Sequence, residues 1–360
     1  MSVMRFTGPV LPDGESREVH VVDGRVTFEP HPGADVVARG WIVPGLVDAH
    51  NHLGLEDGGA VEDPAEIEAQ AVADRDTGVL LLRDCGSPAD TRWVQAREDL
   101  PVLVRAGRHV ARTRRYIRHY AHEVEPEDLA AAVAREARAG DGWVKLVGDW
   151  ISRETGDLSP SFGPDTFASA IEAAHVEGAK VTAHCFGREV LQGLLDAGID
   201  CLEHGTGLST DQLDQMAASG VALVPTVLQT GKFPTFSAQG RDKFPAYSAT
   251  MDELYAQRRD VLLAAHEAGV DLFVGSDGGG TGRHGYLGEE IAAMVGMGLP
   301  AADVVAAASW KGRSWLGFAG VEEGAQADFL VLDRDPRLDP SALTEPVCVV
   351  LRGRVVAGRG

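Results

Sequence analysis

Short apolar runs alternate with amphipathic segments through the middle of the chain. The runs lie at Ile42–Val47, Val79–Leu82, Val102–Val104, Trp143–Val147, Val181–Ala183, Ile199–Leu202, Val221–Val224 and Leu272–Val274. Between most of them fall Pro64–Thr77, Glu127–Ala139, Pro164–Gly178, Arg188–Ala197, Asp211–Ser219 and Met251–Gly269, each with apolar residues at helical spacing. Strand, helix and strand in this order are the mark of βαβ units and a parallel sheet. Eight such runs predict an α/β protein built on a closed (β/α)8 TIM barrel over residues 44–321. The count alone leaves an open, doubly wound sheet as the alternative. No Gly-x-Gly-x-x-Gly follows the first run, so nothing supports a dinucleotide site.

The two ends read differently. Arg17–Val22 and Arg25–Glu29 flank Asp23-Gly24, a hairpin signal because both turn residues tolerate positive φ. Ala327–Leu332, Val347–Leu351 and Arg354–Ala357, the last two around Arg352-Gly353, repeat the pattern near the C-terminus. The ends are therefore expected to pair into one small β-domain, residues 1–43 plus 322–360.

With 44% apolar and 24% charged residues in a chain of 360, composition is that of an ordinary globular protein of this size. No apolar run reaches the roughly 18 residues of a membrane span. Met1 to Ser16 has no basic n-region or long apolar stretch, so no signal peptide is expected and the cytoplasm is the default compartment. The net charge of −21 argues against nucleic acid and anionic membrane as partners. Self-association into a homo-oligomer stays open. Cys85, Cys185, Cys201 and Cys348 are scattered without a CxxC pair, which speaks for buried free thiols.

The informative polar residues end the apolar runs. His50 and His52 close the first one at positions i and i+2, which point to the same side of a strand and can meet one ion. An isolated HxH is weak by itself. Lys145 lies inside Trp143-Val144-Lys145-Leu146-Val147, in a chain with only five lysines. A lysine in a buried strand carries a desolvation cost. Either it snorkels to the strand end, or it serves chemistry: a neutral amine can add CO2 to give a carbamate whose two oxygens bridge two metals, which arginine cannot do. His184 and His204 end two successive runs. Asp277 ends Leu272 to Ser276 before Gly278-Gly279-Gly280 and could ligate a metal or simply cap the next element. Together these are six ligand candidates on five strand ends. Imidazole and carboxylate suit zinc first, with manganese, iron or nickel as alternatives.

This ordered set resembles the binuclear pattern of the amidohydrolase superfamily, nearest its imidazolonepropionase-like and prolidase-like (Xaa-Pro or Xaa-Arg dipeptidase) branch. Pro44-Gly45-Leu46-Val47-Asp48-Ala49-His50, Arg83-Asp84-Cys85-Gly86, Glu203-His204-Gly205-Thr206, Val224-Pro225-Thr226 and Gly324-Ala325-Gln326-Ala327-Asp328-Phe329-Leu330 carry the likeness. It spans the whole chain, including a β-sandwich made by both ends. It implies two divalent metals: His50, His52 and Asp277 on the more buried one, His184 and His204 on the second, and carboxylated Lys145 bridging them. It further implies a hydroxide between the metals that attacks an amide or peptide bond, with Asp277 passing its proton to the leaving nitrogen. Deaminases of the superfamily carry a glutamate three residues after the fifth-strand histidine. Here that position is Gly187, so deamination is disfavoured. Imidazolonepropionase itself is mononuclear and lacks the bridging lysine, so Lys145 points to a different member.

The substrate is expected to be a small molecule such as a dipeptide, an N-acyl amino acid or a cyclic amide. The same bimetal site would also suit an esterase, lactonase or organophosphate hydrolase, and a non-catalytic metal-binding scaffold is a third reading. Pro101–His122 holds six arginines, three histidines and no acid. The segment should overhang the site and could receive a substrate carboxylate through Arg114, Arg115 and Arg118; a basic loop paired with acidic neighbours is the plainer reading. His119, Tyr120 and His284 are further candidate substrate contacts. The stretch Gln229–Thr250, with Pro234, Pro245, Phe233, Phe236, Phe244 and Tyr247, reads as a loop that could act as a lid.

Overall fold

The computed structural model describes residues 3–359. Met4–Val10 pairs antiparallel with Glu15–Val22 and parallel with Asp35–Arg39 and Trp41–Pro44. Trp41–Pro44 in turn pairs with Phe329–Leu332, which leads to Cys348–Leu351 and Arg354–Gly358. Both ends of the chain thus share one eight-stranded sheet. Both expected two-residue turns form, with Asp23 and Gly24 at φ 48° and 79° and Arg352 and Gly353 at φ 47° and 73°. Successive side chains of a strand face opposite ways. Phe329 and Val331 accordingly pack with Phe6, Val19 and Ile42, while Leu330 and Leu332 pack with Leu46, Val79 and Leu80. Burial on both faces is why this strand reads as one unbroken apolar run.

The middle of the chain is mixed α/β with parallel strands. Leu46–Glu56, Val79–Asp84 and Val102–Arg105 form one run of neighbours. Val110–Arg112, Trp143–Val147, Lys180–Cys185, Cys201–His204 and Ala222–Val224 form a second. The two sheets meet at both margins. At one, the chain leaves Arg105, whose carbonyl accepts from the Asp141 N–H at 2.8 Å, and re-enters at Val110 opposite Leu146. At the other, residues 271–277 run between the sheets: the Phe273 N–H donates to Leu223 at 3.0 Å, the Ala49 N–H to Val274 at 2.8 Å and the Asp277 N–H to His50 at 2.7 Å. This segment is no regular strand over Leu272–Val274, as the sequence pattern predicted, but a single bridge, Leu223 to Leu272, with these bonds around it. Gly275 allows the approach, because a Cβ there would fall 2.5 Å from the His50 Cβ.

Helices cover the strands, with ends set by local chemistry. Asp63 caps Pro64–Asp76 by accepting the Ala65 N–H at 2.9 Å. Ser209 and Gln212 form a capping box on Thr210–Ser219, and Gly220 ends it at φ 71°. The expected loop over Gln229–Thr250 is instead helical: Val227–Thr230, Phe233–Gly240 and the 23-residue helix Pro245–Glu267. Pro234 and Pro245 sit in the first turns of the latter two, where proline's missing N–H costs nothing, so these prolines start helices instead of breaking them. Among the described residues no helix is long and apolar enough to cross a membrane.

Candidate metal centre and substrate cavity

The six ligand candidates come from four parallel strands and the 271–277 segment and meet at one cavity. His50 and His52 project from Leu46–Glu56, Lys145 from Trp143–Val147, His184 from Lys180–Cys185 and His204 from the end of Cys201–His204. Asp277 follows the 271–276 segment. All six line one cavity of about 380 Å3. Each is buried except Asp277, whose side chain is 13% exposed. His204, Thr226 and Asp277 adopt left-handed backbone at φ 68°, 43° and 54°, a cluster of strained residues of the kind that gathers at functional sites.

The side chains are arranged as candidate metal ligands. The His50 Nδ1 lies 2.7 Å from a Glu203 carboxylate oxygen, and the His52 Nδ1 is 2.7 Å from the Gly86 carbonyl. Each Nδ1 is therefore a donor, and in the neutral ring the Nε2 is the nitrogen left to face a cation. Yet the two Nε2 atoms stand 3.1 Å apart, and each is 3.2 Å from the same Asp277 oxygen. Two imidazole nitrogens and a carboxylate this close need a proton or a metal ion between them. The donor set fits a divalent metal and has the outer partners that orient metal-bound imidazoles. On the other side, the His184 Nε2 is buried without a partner. The His204 Nδ1 is held by the Thr226 hydroxyl at 2.6 Å, and the two rings lie 4.7 Å apart. The Lys145 Nζ is 3.4 Å from the His50 Nε2, between these groups. A second cluster, His50, Cys85 and Glu203, also has metal-ligand spacing. It is a poor cation site because Arg83 already sits on Glu203 at 2.5 Å and burial pushes the Cys85 thiol well up.

Electrostatics agree with this division. Burial would raise Asp277, but His50, His52 and His204 overcome it and hold its carboxyl well below the usual range. Burial lowers His204 to about 3 and, with His204 beside it, takes His184 well below its ordinary value. Both rings are thus neutral, as ligands must be. Burial also lowers His52. His50 is raised despite burial and Lys145, because Glu203 and Asp277 flank it. Those two carboxylates ask for positive charge at this ring, from a proton or from a metal.

Of the proposed substrate contacts only Tyr120 lies on the cavity wall. Arg114, Arg115, Arg118, His119 and His284 do not. The Arg115 guanidinium is tied to the carbonyls of Trp150 and Ser159, both at 2.9 Å, so it braces the wall from behind. Arg114 and Arg118 are exposed off the wall, and the His119 carbonyl accepts from Arg108 at 2.7 Å. His284 is bonded at 2.8 Å to Asp74, within a buried network that continues through Asn51 to Asp48 and Ser276. Arg105, Arg108, Arg112 and Arg115 fold onto backbone carbonyls and Asp141.

Residues without an assigned role complete the site. Glu203, fully buried, joins His50, Arg83 and Thr182. A carboxylate inside an apolar run was the same signal that singled out Lys145. His109 lines the cavity stacked on His52 at 4.9 Å, with both ring nitrogens unpartnered. Tyr116, Trp150, Phe186, Phe236 and Tyr247 supply apolar wall. No spacing rule connects these to the strands.

A cluster of candidate metal ligands at the ends of parallel strands opens on this small cavity. The sequence model of the amidohydrolase family matches residues 41–356, and the chain belongs to that family, hydrolases of carbon–nitrogen bonds. It is 50% identical over 353 residues to an uncharacterized protein of Mycobacterium tuberculosis (strain ATCC 25618 / H37Rv), covering 98% of this chain and 95% of that one. It is 25% identical over 229 residues to the ochratoxinase of Aspergillus niger, covering 62% of this chain and 47% of the relative. Among solved structures it is similar to a Xaa-Pro dipeptidase with bound methionine in the active site, at TM-score 0.82, 21% identity and coverage of 98% and 99%. The crystal structure of the A. niger ochratoxinase matches at TM-score 0.81, 18% identity and coverage of 100% and 96%.

Proposed function

We propose that this protein is a binuclear-metal amidohydrolase that cleaves an amide or peptide C–N bond of a small molecule. In this reading residues 44–321 are a (β/α)8 barrel and residues 1–43 plus 322–360 a β-sandwich beside it. The parallel strands joined at both margins favour the barrel over an open sheet. The observation that carries the functional reading is the convergence of two imidazole Nε2 atoms and one carboxylate oxygen within 3.2 Å. His50, His52 and Asp277 would hold one divalent metal, His184 and His204 a second, and a carbamate on Lys145 both, with zinc the first choice for this donor set. When bound, the metals supply an acidified water and polarise the scissile carbonyl.

The chain's own groups do the rest. Glu203 and the Gly86 carbonyl fix the tautomers of His50 and His52. The Asp277 carboxylate, kept ionised and turned to the cavity, accepts the proton of the attacking water and returns it to the leaving nitrogen, so that the C–N bond breaks to a carboxylate and an amine. Gly187 supports hydrolysis over deamination: it carries no side chain where a deaminase carries its glutamate, and a Cβ there would meet the Asp149 carboxylate at 2.9 Å. The test is elemental analysis of protein purified with bicarbonate, wild type beside Lys145→Ala. About two metals per chain, falling to one or fewer in the variant, is the expected result. About one metal, unchanged by the substitution, would make Lys145 structural and defeat the binuclear reading.

A further inference from the structure

We infer that the substrate is a small amide whose group beyond the scissile bond is an uncharged aromatic one, and that a carboxylate there is rejected. The inference rests on the hydrolytic reading above. The wall beside His184 and His204 is made of rings. Phe186 packs at 4.3 Å from His184 and 4.8 Å from His204, with Phe233 behind it at 4.6 Å. Trp150 stands 5.5 Å from His184 and meets Tyr116 edge to face at 4.8 Å. Phe236 lines the same cavity, and Ile117, 39% exposed, sits at its mouth. Rings at these separations offer the offset and edge-on contacts that another ring prefers.

Beyond the metal centre, arginine and lysine are nearly absent from the wall. Among the described residues Lys145 is the only lysine or arginine on the wall, and it lies against His50. Arg112 and Arg115 face carbonyls of Ser161, Trp150 and Ser159 instead. Other polar side chains of the wall, His109, Tyr116, Tyr120, Gln229, Gln239 and Thr281, carry no fixed positive charge, and Asp277 is itself an anion. Away from the metal centre, a carboxylate would be stripped of water against ring faces that carry negative charge density, with no lysine or arginine in return. At about 380 Å3 the cavity is at the low end for small-molecule sites, room for a scissile amide and a ring-sized group but not for a peptide chain.

Two ligands that differ only by a carboxylate test this: N-benzoylphenethylamine and N-benzoyl-L-phenylalanine. Calorimetric Kd and kcat/KM are measured in parallel on the metal-loaded full chain. The neutral ligand is expected to bind and react at least about tenfold better, a margin typical of one mismatched group. Trp150→Ala and Phe236→Ala should each weaken it about tenfold with metal content and melting midpoint unchanged, and Ile117→Arg should move preference toward the acid. Equal or tighter binding of the acid, Kd values unmoved by both alanine variants, or no binding of either ligand below about 1 mM would overturn the inference. Tight neutral binding with no amide ever cleaved would sink the hydrolytic reading and leave this one standing. Turnover confined to carboxylated amides would do the reverse.

Discussion

Arg83 and Glu203 form a fully buried ion pair at 2.5 Å directly behind the His50 ring. The guanidinium lies between Trp143 and Trp315, 4.6 and 4.9 Å from their centres, and donates to the Ala49 carbonyl at 2.6 Å. Burial opposes both charges, yet each stays charged because the partner is there: Arg83, His50 and Lys145 hold the Glu203 carboxyl well below its usual range. Glu203→Gln keeps the shape and removes the charge. Arg83 is then a buried cation without a counterion, a change worth about 3–5 kcal/mol. With an unfolding entropy of about 2.1 cal/mol/K per residue, a chain of 360 residues loses roughly 4–7 °C in melting midpoint. The His50 Nδ1 also loses its carboxylate partner, which costs about 10–100-fold in metal affinity. The double variant Arg83→Met with Glu203→Gln separates these effects. It restores charge balance, so it should be more stable than Glu203→Gln alone by at least about 1 kcal/mol, while metal affinity stays low. Scanning calorimetry and metal titration of the three proteins decide it. A Glu203→Gln protein within about 1 kcal/mol of wild type that keeps its metals, or a double variant whose losses simply add, would refute the coupling.

Other expectations follow from single features. Chelation of the two proposed metals should lower the melting midpoint by about 7 °C relative to protein held near 100 times each Kd, and readdition should restore it, as read by thermal denaturation. Gly187→Ala brings a Cβ to 2.9 Å from the Asp149 carboxylate and should lose about 1–3 kcal/mol in denaturant titrations without gaining deaminase activity. Burial raises Glu290 to about 8 although it accepts the Leu228 N–H at 2.9 Å. Its folded pKa exceeds the unfolded value, so the native state binds more protons between the two and stability falls as pH rises from about 4.5 through about 8. Glu290→Gln should flatten that fall, which melting midpoints between pH 5 and pH 9 will show or deny. Ser209→Ala removes the capping-box acceptor of Thr210–Ser219 and should cost about 1 kcal/mol in urea unfolding.

The sequence by itself determined what depends on local order. Alternating apolar runs and helical segments marked the parallel strands, and histidines, one lysine and one aspartate at their ends marked the candidate centre, because strand ends and side-chain alternation are legible from spacing. Asp23-Gly24 and Arg352-Gly353 marked their turns because positive φ suits few residue types. Tertiary structure decided what depends on contacts between distant segments. Only the fold shows that Glu203 reaches Arg83 across 120 positions and that Arg115 spends its guanidinium on Ser159 rather than on the cavity. Only the fold shows that the presumed loop after Gln229 is helical and lends Phe236 and Tyr247 to the wall. A charge counted along the chain has no direction. Its partner, and hence whether it meets a ligand or a carbonyl, is fixed when the strands come together.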